Sequence, residues 1–261
     1  MRLLFIRHGD PDYKIDGLTE KGKIEAQCLA KHIQDFGIDD VYVSPCGRAQ
    51  RTAEYSLEVL GKEATTLRWL EEFPALFDPN LADEETKKAY PNELFKKKDS
   101  DEYHKRIVWD VMPSYYKAHP EILDVHTYMD SDIVKYTDMP EVYERVISGF
   151  NQLLSDYGYE RDGNVFKVRE SNDKTIAFFC HFGLTSVLLS YLWGVSPFVP
   201  MQFLAMAPTS VTEIVTEERE KGIAVFRTLR VGDITHLTLE NEKPSFSARF
   251  CERFENEDER H

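Results

Sequence analysis

Four consecutive apolar residues, Leu3-Leu4-Phe5-Ile6, end abruptly in Arg7-His8-Gly9. A short unbroken apolar run closed by polar residues reads as a strand buried on both faces, the kind found in α/β sheets. The pattern then changes period. Thr19 is a suitable N-cap, and Ile24, Ala26, Cys28, Leu29, Ile33 and Phe36 recur at helical spacing over about residues 20–36, with Gly37 as the stop. Asp40-Val41-Tyr42-Val43 predicts a second buried strand, and Ser44-Pro45 leads into a helix running to about Gly61. Thr65-Thr66-Leu67 reads as a third strand, residues 139–157 as an amphipathic helix, and Thr175-Ile176-Ala177-Phe178-Phe179-Cys180 as the most apolar strand of the chain. A helix is expected from Leu184 to Trp193. Two strands, Val211–Thr216 and Ile223–Leu229, flank a charged turn at residues 217–222.

Between these elements, residues 75–138 lose the periodicity. They carry Pro79, Pro91, Pro113 and Pro120 with an aromatic set that includes Trp109, Tyr115, Tyr116 and Tyr128. This segment reads as a helical insertion or lid within one domain spanning residues 1–253, and residues 254–261 as a charged tail. The fold class expected is α/β: a three-layer α/β/α sandwich around a mostly parallel sheet.

Composition narrows the chemistry. The 261 residues carry a net charge of −14, which disfavours nucleic acid and anionic membrane as partners, since both select basic surface. No run approaches the ~18 apolar residues of a membrane span, and no leader precedes the first strand. Cys28, Cys46, Cys180 and Cys251 form no CxxC pair. A cytoplasmic protein with reduced thiols is the expectation.

Ligands of open α/β sheets gather at the carboxyl ends of strands. There the sequence places Arg7 and His8 after the first strand, Arg48 in the first turn of the helix after the second, Glu71 and Glu72 beyond the third, and His181 after the late apolar strand. A cation in the first helical turn opposes the helix dipole, so Arg48 sits against local preference. Arginine forks match phosphate oxygens, a neutral imidazole can attack phosphorus, and a carboxylic acid can protonate a leaving oxygen. None of these steps requires a metal or a cofactor.

Arg7-His8-Gly9, Ser44-Pro45 through Arg48-Ala49 and Thr52-Ala53, Leu70-x-Glu72 and His181, in that order, resemble the histidine phosphatase superfamily, the phosphoglycerate-mutase-like proteins. The resemblance implies His8 as nucleophile and Arg7, Arg48 and His181 as the rest of a phosphate pocket. It implies Glu72, two places past Leu70, as proton donor, and a small phosphorylated compound as substrate. Pro11 and Lys14 stand where the family often has a hydroxyl residue and an asparagine, and Phe182 follows His181 where it often has glycine. These departures point to a phosphomonoesterase, with a mutase-like phosphotransferase or a non-catalytic phospho-ligand binder as alternatives. A metal hydrolase built on His8 and His181 is a further rival.

Overall fold

The computed structural model describes residues 1–90, 96–247 and 253–255. Cys251 and residues 256–261 of the expected tail lie outside the described residues. The chain forms two compact units, one of residues 1–72, 151–185 and 205–261, the other of residues 73–150 and 186–204.

The first unit holds an eight-stranded sheet. Its strands in chain order are β1 (Arg2–Arg7), β2 (Asp40–Val43), β3 (Thr65–Thr66), β4 (Tyr159–Asp162), β5 (Val165–Val168), β6 (Thr175–Cys180), β7 (Val211–Glu220) and β8 (Ile223–Asp233). Across the sheet the order is β3-β2-β6-β1-β7-β8-β5-β4. β3, β2, β6 and β1 are mutually parallel; every pairing beyond β1 is antiparallel. Six strands therefore run one way, and only β5 and β7 run the other. This is the α/β architecture expected.

The apolar runs are continuous because both faces of the central strands are covered. On one face Leu4, Ile6, Val41, Val43, Ala177 and Phe179 pack with Leu29, Ala49 and Ala53 of α1 (Glu20–His32) and α2 (Gly47–Leu60). On the other, Phe5 stacks on Phe178 at 5.0 Å, and Phe178 on Tyr42 at 5.7 Å. Thr19 caps α1 by accepting the Gly22 N–H. Gly61, at φ +62°, ends α2 in the left-handed region that a side chain would disfavour.

One expectation is corrected here. Residues 217–222 are not all turn: β7 runs to Glu220 and β8 starts at Ile223, with Gly222 at φ +81° making the reversal. The charged residues of 217–220 lie on a solvated strand end, where ladder hydrogen bonds outweigh low strand propensity. Hydropathy also did not reveal the β4–β5 hairpin, which reverses at residues 163–164; Arg161 pairs with Phe166 and Asp162 with Val165.

In the second unit, Leu76–Phe77 pairs with Arg106–Ile107 and Phe77 stacks on Tyr90 at 4.3 Å. α3 (Met139–Asp156) and α4 (Phe182–Trp193) each run from one range of residues into the next. Tyr115 and Tyr128 of segment 75–138 are 5% and 6% exposed. Aromatic side chains surrendering this much surface are held by the area they bury, commonly about 1.5–3 kcal/mol for a large apolar side chain.

Candidate active site

Register places the two histidines. Arg7 lies opposite Cys180 as the last pair of β1 with β6, so His8 and His181 emerge side by side one residue further on. Their rings stand 5.1 Å apart, centroid to centroid, and both residues are buried. His8 Nδ1 is 2.7 Å from the Gly9 carbonyl. A carbonyl only accepts, so Nδ1 carries the proton and Nε2 keeps its lone pair. His181 Nε2 is 2.7 Å from Ser44 Oγ, which also receives the Cys46 N–H.

The other expected residues converge on this pair. Arg7 is 5% exposed; its Nη1 donates to the carbonyls of Met206 (2.7 Å) and Ser247 (3.0 Å). Arg48 Nη1 donates to Asp16 Oδ1 at 2.7 Å, and the guanidinium lies 5.6 Å from the centroid of the Tyr13 ring. Glu72 Oε1 accepts the Leu184 N–H at 3.2 Å, and its Oε2 lies 4.0 Å from His181 Nδ1. Glu72 thus joins the cluster. Arg51, a turn further along α2, is exposed and pairs with Glu54.

Three donor-capable atoms, Arg7 Nε, Arg48 Nε and His181 Nδ1, are buried and have no hydrogen-bond partner among the described residues. Buried polar atoms are ordinarily paired. Three such atoms, two of them on cations whose fields act on His8, suit an anion with several acceptor oxygens.

Electrostatics keep both imidazoles neutral. Burial first, then the field of Arg7, holds His8 well below the usual imidazole value. Burial, His8 and the two arginines do the same to His181. Burial also lowers Arg7 from its usual value, with Glu72 opposing; a guanidinium remains a cation at any working pH. His236, also buried, is lowered from 6.5 to about 4.

A stability prediction follows from the signs. The unfolded chain takes up these histidine protons as pH falls through 6.5, while the folded chain still resists them. Their contribution to stability is therefore intact above pH 6.5 and is lost progressively below it, over a window that reaches about 4 for His236. Urea denaturation at about pH 7 and about pH 5 should show lower stability at the acid value, and a smaller loss in His236→Gln; an equal loss in both proteins would contradict it.

Several supporting residues carried no sequence signal. Asp16, at φ +46°, also accepts the Gly47 N–H at 2.6 Å. Burial would raise its carboxyl, but these bonds from Gly47 and Arg48 outweigh it and hold the group low. A Cβ on Gly47 would stand 2.2 Å from the Asp16 carbonyl oxygen, so only glycine permits this approach. Glu25 of α1 is fully buried and accepts the N–H groups of Asp10 (2.9 Å) and Ser245 (2.8 Å). Their contacts join residues tens to hundreds of positions apart.

His8, Glu72 and His181 also bring one ligand-type atom each within 4.8 Å of one another, a spacing that can hold a metal ion. The donor set is a poor fit for a cation, because the positive fields of Arg7 and Arg48 already act on both histidines.

An α/β sheet with an anion-seeking cluster at its strand ends defines the class, and comparison with known proteins shows what the chain is similar to. Residues 3–116 match the histidine phosphatase superfamily (branch 1). The solved structures that resemble the fold include an Entamoeba histolytica phosphoserine phosphatase with phosphoserine (TM-score 0.55, 17% identity, 90% of this chain and 98% of that one). A mycobacterial glucosyl-3-phosphoglycerate phosphatase with inorganic phosphate is similar (TM-score 0.55, 16% identity, 90% and 98%). The first 116 residues thus resemble the histidine phosphatase superfamily, and the fold as a whole resembles these phosphatases. Among curated relatives, a 2,3-bisphosphoglycerate-dependent phosphoglycerate mutase of Bartonella quintana is 38% identical over 71 residues, 23% of this chain and 34% of the relative. Its counterpart from Bartonella henselae is 35% identical over 92 residues, 31% and 43% respectively. The chain thus matches less than half the length of these mutases.

Proposed function

We propose that the protein is a metal-independent phosphomonoesterase that works through a phosphohistidine on His8. The observation that carries this reading is the His8 ring, locked by Gly9 with Nε2 unprotonated, in the field of two arginines that, with His181, offer three buried donor-capable atoms without a partner among the described residues. Nε2 attacks phosphorus as the ester P–O bond breaks, and the departing oxygen takes a proton from the Glu72 carboxyl. Arg7, Arg48 and His181 receive the charge on the phosphoryl oxygens. Glu72, now a carboxylate, draws a proton from water; that water attacks phosphorus, the N–P bond breaks, and phosphate leaves with His8 neutral again.

The lone pair on Nε2 persists to well below pH 6.5, because the same burial and arginine field resist protonation. His181 serves as a donor when Ser44 Oγ–H bonds Nε2, which puts the remaining proton on Nδ1, on the Glu72 side of the ring.

Two neighbours were solved with phosphoserine and with 3-phosphoglyceric acid, which supports a small phosphorylated compound as substrate here. A second reading, phosphotransfer between isomers, is favoured by the Bartonella mutases that match part of the chain. Hydrolysis of p-nitrophenyl phosphate in EDTA tests the reading: release of phosphate that resists the chelator is expected. Loss of activity in EDTA, restored by a divalent metal, would favour a metal hydrolase instead. Isomerisation of a phosphoglycerate without net phosphate release would favour the mutase.

Glu72→Gln should slow ester hydrolysis in proportion to the basicity of the leaving group. Alkyl phosphates should lose about 10²–10⁴-fold, the usual worth of general acid catalysis, and p-nitrophenyl phosphate much less in the phosphorylation step. Equal losses across a series of leaving groups would reject Glu72 as the acid.

A further inference from the structure

The peptide between His8 and Gly9 is held from both sides. In a trans peptide the carbonyl of one residue and the N–H of the next point in opposite directions. Here the His8 carbonyl accepts the Thr209 N–H at 3.2 Å, and the Gly9 N–H donates to Thr52 Oγ1 at 2.9 Å. The Gly9 carbonyl, next along the chain, is the group that fixes the proton on His8 Nδ1.

Both threonines are fully buried. The Thr52 hydroxyl receives the Gly9 N–H and donates its own proton to the Arg48 carbonyl at 2.8 Å, so one side chain links the His8 peptide to the helical turn that carries Arg48. Thr209 has φ +60°, a left-handed conformation that is an outlier for a β-branched residue. Strained backbone of this kind persists only when its surroundings over-determine it, and it concentrates at functional sites. The surroundings are present: the Thr209 hydroxyl donates to the Pro208 carbonyl at 2.7 Å and accepts from His236 Nε2 at 2.9 Å. The neighbouring residues of this segment hold Arg7, whose N–H donates to the Ser210 carbonyl and whose Nη1 donates to the Met206 carbonyl. Gly9 has no slack of its own, since a Cβ there would stand 2.6 Å from the Gly22 carbonyl oxygen.

We propose that Thr52 and Thr209 are positioning residues that clamp the His8–Gly9 peptide and thereby select the His8 tautomer with Nε2 unprotonated. The proposal rests on the reading of His8 as nucleophile only for its effect on turnover; its effect on the tautomer stands apart. Thr52 reaches His8 through the Gly9 N–H, and Thr209 through the His8 carbonyl, so neither needs to touch the substrate.

The test measures two quantities in wild type, Thr52→Val, Thr52→Ser and Thr209→Ala. One is the tautomer of His8 from ¹⁵N shifts of the labelled imidazole; the other is p-nitrophenyl phosphate turnover. Thr52→Val keeps the shape and removes the acceptor. It should mix the His8 tautomers and lower kcat by up to about 100-fold, the scale of a small misplacement of a reacting group, with KM much less affected. Thr52→Ser should restore both. Thr209→Ala keeps the N–H but frees the strained backbone, and should mix the tautomers in the same way; it carries the test should Thr52→Val fail to fold. Unchanged His8 tautomers in the variants would overturn the clamp, whatever happens to turnover. Absence of turnover in wild type would instead count against the phosphatase reading, while the shifts still decide the clamp.

Discussion

His8→Ala is expected to abolish phosphate-ester turnover while leaving the phosphate pocket able to bind. Loss of the nucleophile of a covalent mechanism commonly costs on the order of 10⁶ in kcat. No neighbour can take its place: His181 has Nε2 engaged by Ser44, and Cys180 is buried with its thiol pushed up to about 12. The alanine variant removes a ring and little else, because the His8 backbone bonds to Cys180 and Thr209 do not involve the side chain. Arg7, Arg48 and His181 keep their own supports, so vanadate should still bind to it, more weakly than to wild type. Turnover by His8→Ala within tenfold of wild type would remove His8 from the mechanism.

The second large effect is expected at Arg48. Arg48→Ala should lose about 3–4 kcal/mol of transition-state stabilisation, the upper range for deleting one charge-stabilising donor, or roughly 10²–10³ in rate. Its Nη1 is spent on Asp16, and Asp16 is spent in turn on the Gly47 N–H. That leaves Nε, which is buried and has no partner among the described residues, available to a phosphoryl oxygen. Arg48→Lys should recover only part of the loss, since an ammonium cannot bond Asp16 and a phosphoryl oxygen through one rigid fork. Removing Arg48 also leaves Asp16 uncompensated beside the helix N-terminus, so thermal melting of the variant, with and without phosphate, separates lost folding from lost chemistry. Full recovery by lysine would mean that charge alone matters at this position.

The residues that were legible in the chain are those whose placement is local. Arg7-His8 and His181 announce themselves because each follows an apolar run, and two buried parallel strands in register must bring their ends together. Arg48 is visible because it occupies the first turn of a helix, where a cation is out of place. Glu72 and Glu71 are neighbours in sequence, and only the contact with Leu184 and the approach to His181 tell them apart in space.

What was not legible is the scaffolding. Glu25 lies on α1 among Lys23, Gln27 and Lys31, where it reads as a solvated position, yet it is fully buried to accept two backbone N–H groups. The segment around Met206–Ser210 supports Arg7 and His8 almost entirely with main-chain atoms, and main-chain atoms leave no mark on residue type. Thr209 is worse than silent, because threonine is a residue that sequence reasoning would never assign to φ +60°. The division into two units was hidden for a related reason: two of its boundaries fall within helices α3 and α4, so no change of composition marks them.

The most direct test of the phosphohistidine is to trap it. Glu72→Gln should accumulate phosphoenzyme, provided a good leaving group such as p-nitrophenolate lets phosphorylation proceed while the activation of water is impaired. Rapid quenching into alkali, where an N–P bond survives and acyl phosphates do not, followed by peptide mass mapping should then show one phosphoryl group, on His8. The same treatment of His8→Ala should show none. A Glu72→Gln enzyme that still turns over through single-step transfer to water, with ester hydrolysis proceeding by inversion at phosphorus and no phosphoryl group on His8, would contradict the mechanism.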